Sequence, residues 1–258
     1  AQTAFFRCLT CNPIPAAARP VCERAIEVKD ILKSIKKAPL GKACGPDGLP
    51  VEIYRVHAAE LAPILVAVFD AIHQRGRLTD TMEEGELCML YKKKLREDIR
   101  NYRPITLLNS DLKLLTATLA RRVAAAVENT IMPCQTGFMP GRFIADNTHT
   151  TQLLQAIQEE DAEEHTAFIC LDQEKAFDRC SWATLHQTFH SLGFGPNICR
   201  WVATLYNMER PLRRRIRFGA DCSDWYYVRS GVPQGDGFSP ICYILIMEGL
   251  SRLIEQDQ

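Results

Sequence analysis

Three acids follow one apolar run in "FICLDQEKAFDR" (Phe168–Arg179): Asp172, then Glu174 and Asp178. A carboxylate delivered at the end of a buried strand can hold a divalent ion, and such an ion can clamp an attacking hydroxyl and a leaving phosphate together. The spacing limits which acids can share it. On an extended strand Asp172 and Asp178 stand about 20 Å apart at ~3.3 Å per residue, too far for one metal. Asp172 is therefore the candidate ligand, and Glu174 and Asp178 read as surface or helix-capping groups. Taken alone, Asp172 also has an ordinary reading, because acids commonly end strands and open turns.

Composition narrows what surrounds these acids. The chain has 258 residues, 47% hydrophobic and 24% charged, which is the composition of a folded protein. Lys plus Arg and Asp plus Glu both number 31, so the net charge is zero and any grip on phosphate must come from local basic patches. Two such patches stand out. "YKKKLR" (91–96) reads as a basic turn, and "RPLRRRIR" (210–217) interleaves arginines with Leu212 and Ile216, so that Arg213 and Arg215 share a strand face that could meet nucleic-acid phosphate. An ordinary solvated hairpin is the competing reading. The 11 cysteines are scattered and odd in number and are expected to be reduced thiols. "CLTC" (8–11), with Cys22 after it, offers half a zinc site and no suitably placed fourth ligand. The longest apolar stretches, such as "LAPILVAVF", are shorter than a membrane span, and no membrane partner is expected.

The elements that would position these groups can be read from periodicity. Residues 1–25, with Pro13, Pro15 and Pro20, are expected to form a linker or the tail of an upstream domain. "ERAIEVKDILKSIKKA" places Ile26, Ile31, Leu32 and Ile35 on one side of a helix. A second helix is predicted in "AAELAPILVAVFDAIHQRG", ending at Gly76, and "DLKLLTATLARRVAAAVENTI" gives the longest, with Leu112, Leu115, Leu119 and Val123 at intervals of three and four. "EGELCMLYKKKLRED" reads as a strand entering a basic turn, with "NYRPITLLN" continuing it. A further helix is predicted in "ADNTHTTQLLQAIQEEDAE", "TAFICLD" reads as a short buried strand, and Ser181 caps a helix closed by Gly193. A basic hairpin, the loop "GVPQGDGFSP" and an apolar helix complete the chain. Helices and strands intermix without regular alternation, so the predicted class is α+β.

The order of "GPDGLPVEIYR" (45–55), "LYKKKLREDIRNYRPITLLNSDLKLL" (90–115), "QTGFMPGRF" (135–143), "FICLDQEKAFDR" and "SGVPQGDGFSP" (230–240) resembles the successive blocks of reverse transcriptases, and above all those of non-LTR (LINE-like) retrotransposons. The resemblance implies a right-hand polymerase fold: fingers over about 26–130 and 184–232, and an incomplete palm over about 131–183 and 233–258. Asp172 matches the first metal-binding aspartate, and the backbone carbonyl of Gln173 a secondary ligand for Mg²⁺. Phe177 matches the aromatic that excludes a 2′-hydroxyl, against the plainer reading of a core phenylalanine. Gln234 matches the glutamine along the incoming nucleotide, with Gly235 allowing close backbone approach. Arg103 matches the fingers arginine over the triphosphate, and Lys92 or Lys93 its basic partner, the choice between the lysines staying open. Arg142 is a further contact to template or primer.

The resemblance also has departures. Gly237 and Phe238 stand where the family has proline and leucine, and no Tyr- or Phe-x-Asp-Asp block occurs in these residues. A single acid neither neutralises nor positions two metal ions. The expectation is therefore a fragment of an RNA-directed DNA polymerase, working in its intact form with RNA template, DNA primer, dNTP and Mg²⁺, located in the nucleus or cytoplasm, possessing an upstream endonuclease, and inactive as this chain. The alternative is a decayed or domesticated domain that only binds nucleic acid or protein.

Overall fold

The structure, a computed structural model, describes residues 2–160 and 167–256. Helices α1 (Gln2–Cys11), α2 (Arg19–Glu23), α3 (Val28–Lys37), α4 (Val51–Val56), α5 (Ala58–Arg75) and α6 (Asp80–Glu83) lead into strand β1 (Glu84–Tyr91). Strand β2 (Tyr102–Leu108) returns against it, and α7 (Ser110–Val127), α8 (Ile144–Glu160), α9 (Trp182–Ser191) and α10 (Pro196–Leu205) follow. The chain then forms β3 (Leu212–Phe218), β4 (Asp221–Cys222), β5 (Tyr226–Val228) and α11 (Ser239–Gln256). The mixture is α+β, as the sequence predicts.

Local chemistry fixes the helix ends. A capping box joins Glu27 to Asp30 at the start of α3, and Arg55 caps its other end by donating to the carbonyls of Ile35, Lys36 and Ala38. Gly76 ends α5 at φ 67°, and Ser181 Oγ accepts the Thr184 N–H to open α9. Both were legible as punctuation. Helix α7 runs through the core, with Leu112, Leu115, Leu119 and Val123 all buried. Each such side chain contributes about 1.5–3 kcal/mol on leaving water. On α3, Ile31 and Ile35 are buried while Leu32 turns outward, so the expected stripe is narrower than its sequence pattern.

The sheet has the order β2-β1-β3-β4, with β5 pairing β3. β1 and β2 form an antiparallel hairpin from Tyr91↔Tyr102 to Gly85↔Leu108. β1 and β3 are parallel, from Glu84↔Arg213 to Cys88↔Arg217, and the connection between them runs through β2 and the whole α7–α10 segment.

Two expectations fail. Residues 2–25 are no linker, because Phe6, Cys8, Leu9, Ile14 and Cys22 are buried and α1 packs on α9 and α11. Prolines mark the turns there, but the apolar residues between them find a core. The run "FICLD" is no buried strand: residues 167–173 carry no strand, with Ile169 81% and Leu171 79% exposed. A strand holds only when paired, and among the described residues no strand of the sheet pairs with this run. Helix α8 likewise leaves Ile144, Leu153, Leu154 and Ile157 exposed.

Candidate nucleotide site

The site is organised by the docking of one turn onto one loop. Residues 174–180 form a turn, and the loop 230–234 lies on it through backbone bonds from Gly231 N–H to Cys180 O (2.7 Å) and Val232 N–H to Phe177 O (2.9 Å). Trp182 Nε1 adds a bond to Gly231 O at 2.7 Å. Gly231 has φ 85°, and a Cβ there would stand 2.9 Å from Asp178 O, so only glycine allows the approach.

The same loop is stitched to the sheet. Thr106 N–H donates to Gln234 O at 2.7 Å from the free edge of β2. Alternation along the strand then points the backbone of residue 104 to that same outer edge, where Pro104 has no N–H to waste. Gly235, at φ 111°, passes close to the edge as well: a Cβ would meet Thr106 O at 2.9 Å and Ile105 Cγ2 at 3.6 Å.

Around this frame the structure gathers several expected residues. Phe177 is half-buried and meets the Tyr243 ring edge-on at 5.5 Å, and Tyr243 Oη donates to Gln173 Oε1 at 2.7 Å. Partial burial first, then nearby Cys180 and Asp172, push the Tyr243 phenol up, so Asp172 stands close enough for its charge to be felt. Asp172 itself is exposed. Gln234 and Asp178 line one cavity of about 240 Å³ with Leu87, Thr106, Arg214 and Ser230. Partial burial raises the Asp178 carboxyl, with Lys175 opposing it. Asp178 is exposed, as expected of a surface group, and also lines this cavity.

Other expected residues lie apart from that cavity. Arg103 is exposed and pairs with Leu90, on the strand face opposite Pro104 and Thr106. That face also carries Ile105, which borders Gly235. Lys92 and Lys93 are exposed in the loop beyond the hairpin, which the Lys92 N–H closes on Asn101 O at 2.9 Å.

The proposed nucleic-acid contacts are engaged within the protein. Arg142 donates to the carbonyls of Met132, Gln135, Glu128 and Ile131, at 2.6 to 3.0 Å, and clasps the turn after α7. Arg213 pairs with Glu84 at 3.1 Å, while Arg215 and Arg217 both pair with Glu86. The parallel register of β1 on β3 sets these glutamates beside the arginines, a neighbour the sequence could not name. Arg213 and Arg215 also lie over the Trp225 ring, at 5.0 and 4.7 Å.

Two site residues escaped the sequence reading. Tyr243 carried no signal beyond its place in an apolar helix. Arg214 did, because period two puts it on the packing face with Leu212, and it is 4% exposed.

The donor set does not fit a two-ion magnesium site. Among the described residues no group of three or more His, Cys, Asp or Glu could hold a metal, and Glu174 is turned to Arg179. Asp172 offers one carboxylate.

Comparison with known proteins places this arrangement. Residues 91–258 match the model of the family described as reverse transcriptase (RNA-dependent DNA polymerase). Among curated relatives, the Transposon TX1 uncharacterized 149 kDa protein of Xenopus laevis is 30% identical over 234 residues, covering 91% of this chain and 18% of its own length. The probable RNA-directed DNA polymerase from transposon BS of Drosophila melanogaster is 28% identical, covering 85% of this chain and 24% of its own. The RNA-directed DNA polymerase from mobile element jockey of Drosophila funebris is 26% identical, covering 94% and 25%. The chain thus spans a quarter or less of these relatives. The match takes in the turn at Phe177, the loop at Gln234 and β2 together, and the chain belongs to the reverse transcriptase family.

Proposed function

We propose that this chain supplies the nucleotide-binding part of an RNA-directed DNA polymerase of a LINE-like retrotransposon, which joins a dNTP to the 3′-hydroxyl of a primer on an RNA template. The observation that carries this reading is the docking of the Phe177 turn on the Gln234 loop, with Gln173 bonded to Tyr243 beside it. That docking supports Phe177 as the group against the sugar and Gln234 as the group along the nucleotide. Arg103 with Lys92 or Lys93 is the basic arm that would fold over the triphosphate.

Magnesium, the ion the reaction class uses, supplies charge neutralisation when bound. The residues described do not make its site, to which Asp172 offers a single carboxylate. In the intact protein an endonuclease domain and the nucleus as workplace accompany this reading.

The test is primer extension on an RNA template with dNTP and Mg²⁺. It compares the 258-residue chain with a longer one that carries the downstream reading frame. The short chain is expected to be silent and the longer one to extend, with Asp172→Ala returning it to background. Extension that survives Asp172→Ala would sink the assignment of Asp172.

A further inference from the structure

Arg214 is the group the polymerase reading leaves unexplained. Its guanidinium is buried, and Nη1 donates to the carbonyls of Glu83 (2.8 Å) and Arg213 (2.7 Å). Nε and Nη2 make no hydrogen bond among the described residues, and no carboxylate there pairs with it. Its neighbours Arg213, Arg215 and Arg217 all have glutamate partners. A buried charge without a counter-ion costs several kcal/mol, so a site that keeps one has a use for it.

No carboxylate among the described residues makes an ion pair with Arg214, whose guanidinium bonds are to backbone carbonyls. Asp178 lines the same cavity of about 240 Å³ without reaching it. Asp236 lines a smaller space on the other side with Tyr206 and Arg214; its Oδ2 accepts from Phe238 N–H (3.1 Å) and Ser239 Oγ (3.4 Å), while its Oδ1 has no hydrogen-bond partner among the described residues and its charge acts on Arg214 without an ion pair. Burial raises both carboxyls. Desolvation in turn lowers Arg214 to about 10, still charged at neutral pH. The cavity wall adds Ser230, Thr106 and Gln234, whose side chains bond to no described residue.

We propose that the cavity behind Gln234 is an anion site, in which Arg214, with Ser230 and Thr106, holds a phosphate group. At ~30 Å³ per water the cavity has room for several waters, which such a group would displace. That an anion enters follows from Arg214. Which phosphate compound it belongs to rests on the polymerase reading.

Trp182, bonded to Gly231 O in the cavity wall, supplies a fluorescence reporter. The 258-residue chain is titrated in metal-free buffer with inorganic phosphate, pyrophosphate, dTTP and a short oligothymidylate. Leaving out the metal separates this site from Asp172, and the primer-extension result stands independent of it. Saturable binding is expected, weakened about 10- to 100-fold in Arg214→Met, the range for loss of a charged hydrogen bond. Preference for pyrophosphate or dTTP would assign the site to the nucleotide, and preference for the oligonucleotide to the backbone. Because Arg214→Met also removes the bonds to Glu83 and Arg213, Ser230→Glu serves as the second variant. It places a carboxylate at the cavity and is expected to raise Tm while abolishing phosphate binding. No binding by any of the four probes, or unchanged phosphate binding in Ser230→Glu, would overturn the proposal.

Discussion

The backbone N–H of Thr106 donates to the carbonyl of Gln234 at 2.7 Å, and through this bond the loop that carries Gln234 becomes an extension of the sheet edge. Gly235 makes the approach possible: its φ is 111°, and a Cβ on it would stand 2.9 Å from Thr106 O, which leaves no room for a side chain. Gly235→Ala is therefore expected to destabilise the chain by about 1–3 kcal/mol. Urea unfolding measures it, and a midpoint equal to that of the parent would mean the loop is not held at the edge.

A second prediction concerns acid. Burial alone would raise the Asp30 carboxyl, but hydrogen bonds from Arg24, the Glu27 backbone and Arg122 outweigh it and hold the group well below the usual carboxylate range. A depressed carboxyl contributes stability that is fully present above its unfolded pKa of ~3.9 and is lost as pH falls toward the folded value. The unfolding midpoint should drop below about pH 4. Asp30→Asn should cost about 3–5 kcal/mol at pH 7, because Arg122 is left buried without its partner, and should flatten the acid slope. An unchanged slope in the variant would show that other groups set it.

Arg142 separates structure from binding. Its guanidinium holds carbonyls of Glu128, Ile131, Met132 and Gln135, so Arg142→Ala should lower stability by about 1.5–3 kcal/mol. A phosphate contact would instead reduce the salt slope of RNA affinity by about one, and no such change is expected. Filter binding at several salt concentrations reads the second quantity, and a slope change of that size would return Arg142 to the interface.

Phe177 is held from two sides, by its carbonyl bond to Val232 and by the ring of Tyr243. In any longer chain that extends primers in the test above, Phe177→Val should raise incorporation of ribonucleotides about 10- to 100-fold relative to deoxyribonucleotides, in keeping with what small changes of pocket volume achieve. Single-nucleotide extension gives the ratio. If it stays constant, the ring is a packing residue.

Much of this protein could be read along the chain. Helix punctuation at Gly76, Ser181 and Gly193, the stripe of α7 and the strand and basic turn of β1 follow from local chemistry, and local chemistry acts between residues a few positions apart. The order of the motif blocks was likewise in the sequence, and with it the family and the roles suggested for Asp172, Phe177 and Gln234. What only the tertiary structure decided concerns partners far apart in sequence. It gave Glu84 and Glu86 to the arginines of β3, turned Arg142 inward, buried the N-terminal segment, left Phe168–Leu171 unpaired and isolated Arg214 at a cavity. Strand register, sheet edges and burial are properties of pairs of segments, and a single segment does not specify its neighbour.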